Sequence, residues 1–301
     1  MTTSTVLTRL EQSAWRPLAQ AHRERVQPWV EPRLQRRRQG RKHPVDDFLF
    51  EYYTFRPAQL LRWQPGPGVA LEGPVPDLAG LSGFVERDGW VQVDVDADAI
   101  VRKADRLPAV AALLEATAGR RPRVGCSALH EWAMVYRLPQ DQVRHAQWPL
   151  RLSGQDIAEV VEQVGLRCTH FDAFRFFTDA AAPRNDRQLT RALQVQTEQP
   201  GCLHATMDLY KWAYRLSPLV GADLIADTFE LARAARTLDM RAAPYDLRDL
   251  GFTPLLLETP AGRAEFATLQ RQLAVRGERL RARLLAALTA AQTWLTAQRG
   301  S

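Results

Sequence analysis

Apolar and polar positions alternate along most of this chain with the period of a helix. Near the C-terminus, Phe266, Leu269, Leu273, Leu280, Leu284 and Leu288 recur every three or four residues or in multiples of that step, which predicts a long amphipathic helix. Thr259 before Pro260 is a starting signal, with a capping hydroxyl ahead of a proline at the first helical position. Gly277 is a point of interruption. The same reading predicts helices over 98–118, 127–137, 153–164, 171–181, 186–196, 203–216 and 218–238. Residues 5–42 read as helix broken at Pro17, Pro28 and Pro32. In the stretch after His43, Phe48, Leu49, Phe50, Tyr52, Tyr53 and Phe55 are too dense for a one-sided surface helix. They predict a buried helix begun by Asp46 or Asp47 and stopped by Pro57, followed by a tight loop from Trp63 to Gly68.

Period-two alternation is confined to one place. FVERDGWVQVDV, from Phe84 to Val95, alternates about Asp88-Gly89, the dipeptide that suits a two-residue hairpin turn. Leu255-Leu256-Leu257 is a second, shorter strand candidate. Strands and helices do not alternate, and no glycine-rich phosphate-binding pattern occurs. The expected architecture is mainly α, a multi-helix globular fold with a small β-hairpin or minor β element. A basic helical N-terminal segment (1–42) precedes a single mainly helical domain (43–301).

Composition changes this picture little. With 46% hydrophobic and 25% charged residues, the 301-residue chain is ordinary for a globular protein. No apolar run approaches the roughly 20 residues a membrane span needs, and MTTSTVLTRLEQ lacks the basic-then-apolar order of a signal peptide. Three cysteines cannot all pair with one another. A cytoplasmic protein with reduced thiols and no membrane partner is expected.

Charge does change it. Residues 1–43 carry ten Arg/Lys against three Glu, and 261–299 carry seven Arg against two Glu. Because the whole chain is at +6, residues 44–260 stand near −6. Basic ends around an acidic centre suit a polyanion binder whose chemistry uses carboxylates; solvated arginine faces are the plain alternative. Arg36, Arg37, Arg38, Arg41 and Lys42 are the candidate phosphate contacts, with 271–283 as a second basic segment. Asp94, Asp96 and Asp98 lack the glycine and closing glutamate of a calcium loop and read as surface.

Candidate chemistry gathers in three segments: GCSALHEWAMVYRL (Gly125 to Leu138), RCTHFDAFRFF (Arg167 to Phe177) and GCLHATMDLYKWAYRL (Gly201 to Leu216). Each places a cysteine two to four residues before a histidine, and an acid within four residues after it: Cys126, His130, Glu131; Cys168, His170, Asp172; Cys202, His204, Asp208. The spacings are not those of zinc fingers or of His-Glu-x-x-His metalloproteases. His204 and Asp208, one helical turn apart, share a face. Interleaved with them are Trp132, Phe171, Phe174, Arg175, Phe176, Phe177, Tyr210, Lys211, Trp212 and Arg215, and further along Asp239, Arg241, Tyr245 and Asp246. Aromatic faces for stacking, polar groups for an edge and a carboxylate near a sugar are what a flipped nucleobase needs. Packed core is the competing reading of the same aromatic residues.

HPVDDFLFEYYTFRP, LHEWAMVYR, RHAQWPLRL, CTHFDAFRFFT, EQPGCLHATMDLYKWAYRL, DMRAAPYDL and ETPAGRAEF resemble blocks of a bacterial, actinobacterial-type protein family that carries the name 3-methyladenine DNA glycosylase. The resemblance covers most of residues 43–275. It implies excision of an alkylated purine from double-stranded DNA carrying a damaged base. The helix-hairpin-helix glycosylase signature is absent, so no catalytic residue is carried over from those enzymes. The resulting expectation is a base-excising N-glycosylase acting on an alkylated purine in DNA or on a related nucleoside, by carboxylate-assisted hydrolysis without a cofactor. Asp208, Asp172, Glu131, His204, His170 and His130 are the candidate catalytic residues. Trp132, Phe174, Arg175, Tyr210, Lys211, Asp239, Arg241 and Tyr245 are the candidate substrate contacts. Two alternatives stand beside it: an oxygenase or hydrolase of small molecules using zinc or iron held by His130, His170 and His204, and a non-catalytic DNA-binding protein.

Overall fold

The computed structural model describes residues 7–299 apart from Ser127 and Arg144. In chain order the elements are β1 (Thr8–Leu10), α1 (Gln12–Arg38), α2 (Phe48–Glu51), α3 (Pro57–Leu61), β2 (Val69–Glu72), β3 (Phe84–Arg87), β4 (Trp90–Val93), α4 (Asp98–Ala104) and α5 (Leu107–Ala118). After them come α6 (Leu129–Ala133), α7 (Gly154–Val164), α8 (Phe171–Phe174), α9 (Gln194–Thr197), α10 (Leu203–Arg215), α11 (Ala222–Ala242) and α12 (Pro260–Arg299). The fold is mainly helical with one small sheet of order β1-β2-β4-β3.

α10 is the hub. All its residues from Leu203 to Lys211 are buried, and it packs against both α11 and α12. Gly277 does not break α12, which runs from Pro260 to Arg299. Its bare Cα faces the side chain of Thr206, 3.4 Å from where a Cβ would stand, so the glycine lets α12 approach α10 closely. α1 is likewise unbroken through Pro17, Pro28 and Pro32. All three prolines are exposed, so water reaches the backbone they disturb. The opposite face of α1 buries Trp15, His22, Val26 and Val30; Val26 and Val30 enter the main core, while Trp15 joins a smaller apolar cluster beneath the sheet.

The hairpin forms as expected. Asp88 and Gly89 both take positive φ, 51° and 80°, and Phe84 pairs with Val93 and Arg87 with Trp90. β1 and β2, which the residue pattern does not reveal, are three- and four-residue strands paired in parallel, too short for a periodic signal. Leu255–Leu257 is not a strand. Pro57 opens α3 instead of ending a longer helix, and Pro108 falls at the start of α5, dividing 98–118 in two. Over 127–137 only Leu129–Ala133 is α-helix, with Ser127 outside the described residues. Over 171–181 and 186–196 the backbone makes single turns.

Candidate functional site

The three Cys/His segments meet. α6, the turn opening α8 and the first turns of α10 bring Cys126, Cys168, Cys202, His130 and His204 around one internal cavity with room for about one water molecule. Burial pushes the Cys168 thiol up to about 12, and it raises the other two as well. These thiols are protonated packing groups, not nucleophiles.

Beyond the cavity runs a chain of buried ionisable groups. His130 Nε2 stands 2.8 Å from Asp239 Oδ1, and the His130 ring meets His204 edge-on with centroids 4.6 Å apart. The His204 ring lies 5.4 Å from that of His170, whose Nε2 is 3.4 Å from Glu198 and 3.3 Å from Asp208. Asp208 accepts a 3.0 Å bond from the Tyr53 hydroxyl and a short one from Lys211, and Lys211 also reaches Asp172 at 3.2 Å. Arg191 closes on the same Asp172 carboxylate at 2.6 Å. At the inner end, Arg236 joins Asp239 at 3.1 Å to Glu131 at 2.7 Å.

The charges follow from this order. Burial disfavours a charged His170, yet Asp208 and Glu198 overcome it and lift His170 to about 9. Burial and the neighbouring His130 push His204 the other way, well below the ordinary histidine value, so it is neutral. Lys211 is held protonated against its burial by Asp208 and Asp172. Asp208 is kept ionised, against its own burial, by Lys211 and His170. Among the described residues, two groups bring three donor atoms within 4.8 Å of one another: His130, His204 and Asp239, and His170, Glu198 and Asp208.

The chain of charges surfaces in a cleft of about 600 Å³. Asp172 and Lys211 line it together with the aromatic rings of Tyr52, Phe176 and Trp212 and the cations Lys42, Arg175, Arg191 and Arg215. Arg175 stacks over Phe176 at 4.2 Å and Lys211 over Trp212 at 4.6 Å, which holds the rings and charges in one surface.

The predicted site residues therefore divide. Asp172, Arg175 and Lys211 line the cleft, while Asp208, His170, His204, His130, Glu131 and Asp239 form the buried chain behind it. Others sit in the scaffold. The Trp132 indole N–H donates to the Ala242 carbonyl, fully buried. Tyr210 packs among Tyr53, Phe55, Tyr214 and Phe229. Phe174 packs on Phe177, Arg241 ties down the Thr253 carbonyl, and Tyr245 is buried against His145. Arg36, with Arg33, is turned inward to clamp the buried Asp47 at 2.5 and 2.9 Å. Arg37, Arg38, Arg41 and Lys42 are exposed. In the second basic segment Arg281 is buried, with no hydrogen bond to its guanidinium nitrogens among the described residues.

Four participants escaped the residue pattern: Glu198, Arg236, Arg191 and Tyr53. Glu198 had a signal, since it stands four residues before Cys202 in the block EQPGCLH. Arg236 had a weaker one, an arginine three residues from Asp239 on the apolar side of a helix. No family model matches this chain, and no curated protein or solved structure registers as similar to it.

Proposed function

We propose that the protein is a hydrolase of N-glycosidic bonds, acting on an alkylated purine of the 3-methyladenine type in DNA or on a related nucleoside. The observation that carries this reading is the composition of the cleft: two carboxylates (Glu51 and Asp172), five phenyl, phenol or indole rings and five Lys or Arg cations share about 600 Å³. An alkylated purine nucleotide is flat and positively charged on the base and negative on its phosphates. Tyr52, Phe176 and Trp212 bring flat ring surface to the same space, against which a base can pack. Lys42, Arg175 and Arg215 are placed to take phosphates. Asp172 stays ionised, because Arg191 and Lys211 hold it below the ordinary carboxylate range against its burial. An ionised carboxylate opposes the positive charge that grows on the sugar as the bond to the base breaks. The base already carries a positive charge, so it leaves without a strong acid behind it. The buried chain from Lys211 to Glu198 fixes the ammonium and carboxylate in position, the supporting role that rigid neighbours play around reacting groups.

Purified protein is expected to release 3-methyladenine from alkylated duplex DNA or from the corresponding nucleoside. Asp172→Asn is expected to lower release by about 100-fold or more while the protein stays folded. Absence of release across several DNA lesions and nucleosides would overturn the reading. A metal-dependent oxygenase or hydrolase of small molecules is the second reading, favoured by the two His/carboxylate groups.

A further inference from the structure

We propose that His130, His204 and Asp239 form a mononuclear binding site for a divalent transition metal ion, next to the cleft. The proposal deepens the second reading above and is independent of glycosidic bond hydrolysis.

The donor set is two imidazoles and one carboxylate, the facial arrangement that suits Fe(II) and also accepts Mn(II) or Zn(II). All three residues are buried, and their donor atoms lie within 4.8 Å of one another. Two donors about 2.1 Å from a shared ion stand roughly 3.0 Å apart at a right angle and roughly 3.4 Å apart at the tetrahedral angle. His130 Nε2 and Asp239 Oδ1 stand 2.8 Å apart, close to the right-angle edge. The two buried atoms face each other as an ion pair, and neither has a further hydrogen-bond partner among the described residues. A divalent cation between two facing donor atoms takes the place of the imidazole proton that otherwise bridges them. The other Asp239 oxygen is held at 3.1 Å by Arg236, which Glu131 balances at 2.7 Å. That is how outer partners orient a ligating carboxylate while leaving its free oxygen aimed at the ion.

The neighbouring His170–Glu198–Asp208 group is the weaker candidate, although its edges of 3.3 and 3.4 Å fit the tetrahedral value. Its carboxylates are already engaged: Asp208 by the Lys211 ammonium and the Tyr53 hydroxyl, Glu198 by the Gln194 amide at 2.8 Å. An ion there would have to displace the Lys211 ammonium, which already neutralises Asp208.

A small cavity with room for one or two waters is lined by His204, Glu131 and Arg236 and shares Tyr52, Asp172 and Phe176 with the large cleft. Of the three ligands His204 borders this space, which places the site next to the cleft.

Co(II) serves as the probe. Chelator-treated wild-type protein is titrated with Co(II) and followed by visible absorption and by paramagnetically shifted proton NMR. One equivalent per chain is expected, with two exchangeable imidazole N–H resonances, one from each histidine ligand. A single such resonance would place the ion at the His170 group, and uptake below about a tenth of an equivalent would mean no site; either overturns the proposal. Asp239→Asn is expected to weaken Co(II) binding at least tenfold, and Glu198→Gln is expected to leave it intact; the reverse pattern overturns the assignment. The resonance count needs no variant, so it decides the matter even where a variant fails to fold. None of these readouts involves base release, so failure of the metal site and failure of the hydrolase reading are separate results.

Discussion

At the scale of single residues, the site is a problem in burying charge. Asp208 is buried with Lys211, His170 and Tyr53 as its partners. Breaking a buried ion pair from one side leaves the other charge uncompensated, which costs several kcal/mol. Asp208→Asn should therefore destabilise the protein by about 3 kcal/mol or more in urea unfolding. A loss below about 1 kcal/mol would mean that Lys211 is satisfied by Asp172 alone. Asp172 offers a pH test. Burial raises its pKa, but Arg191 and Lys211 bring it below the ordinary 3.8. A depressed carboxylate stabilises the fold above its unfolded pKa, and that contribution disappears as pH falls through the folded value. The stability gap between wild type and Asp172→Asn should hold from neutral pH down to about 5 and shrink below 3.8. A gap that widens in acid would contradict the assignment. Much of this chain was legible beforehand, because ionisable residues interleaved with aromatic ones inside helical patterns had to be paired if buried. Glu198, Arg191 and Arg236 were less legible: each lies outside the three motif segments, and only the packing of α9, α10 and α11 brings them in.

At the scale of elements, helix periodicity carried the long spans and failed where single residues govern backbone shape. α7, α10 and α12 follow their apolar spacing closely. The prolines of α1 misled because proline breaks a helix chiefly where the carbonyl it frees cannot be solvated, and here all three are exposed. The short helices α6, α8 and α9 lie where buried aromatic and polar residues are dense enough to hide any period. Their positions instead depend on close backbone contacts. At Gly201, just before α10, a Cβ would stand 2.6 Å from the Arg123 carbonyl oxygen, closer than real contacts allow. The Gln199 side chain laces the same two strands of backbone together, accepting from the amides of Arg123 and Gly201 and donating to the Arg123 carbonyl. Gly201→Ala must push α10 away from this segment. It is expected to cost about 1–3 kcal/mol and to shift NMR resonances around His130 and His204. An unchanged unfolding midpoint would show that the segment yields freely.

At the scale of the molecule, the uneven charge acquires a geometry. The acidic middle of the chain supplies the buried carboxylates, and most of their charge is cancelled within the fold by Lys211, Arg191 and Arg236. The basic ends behave differently from one another. In the C-terminal segment Arg281 is buried and the exposed Arg283 is paired with Asp227 at 2.7 Å, so fewer of its cations are free than the residue count suggests. At the end of α1, Arg36 is turned inward to Asp47, but Arg37, Arg38 and Arg41 remain exposed, and Lys42 next to them lines the cleft. A duplex whose phosphates lay along Arg37, Arg38 and Arg41 would therefore have its neighbouring nucleotides at the cleft mouth. Binding of that kind releases counterions, roughly one for each phosphate neutralised. Replacing Arg37, Arg38 and Arg41 together by Ala should then weaken duplex binding similarly on every sequence and lower the slope of log K against log salt by up to about 3. Arg36→Ala should act differently: it exposes the Asp47 clamp, lowering stability while leaving the salt slope nearly unchanged. If the triple variant binds duplex with the wild-type slope, the end of α1 is a solvated face, and the cleft serves a substrate smaller than DNA.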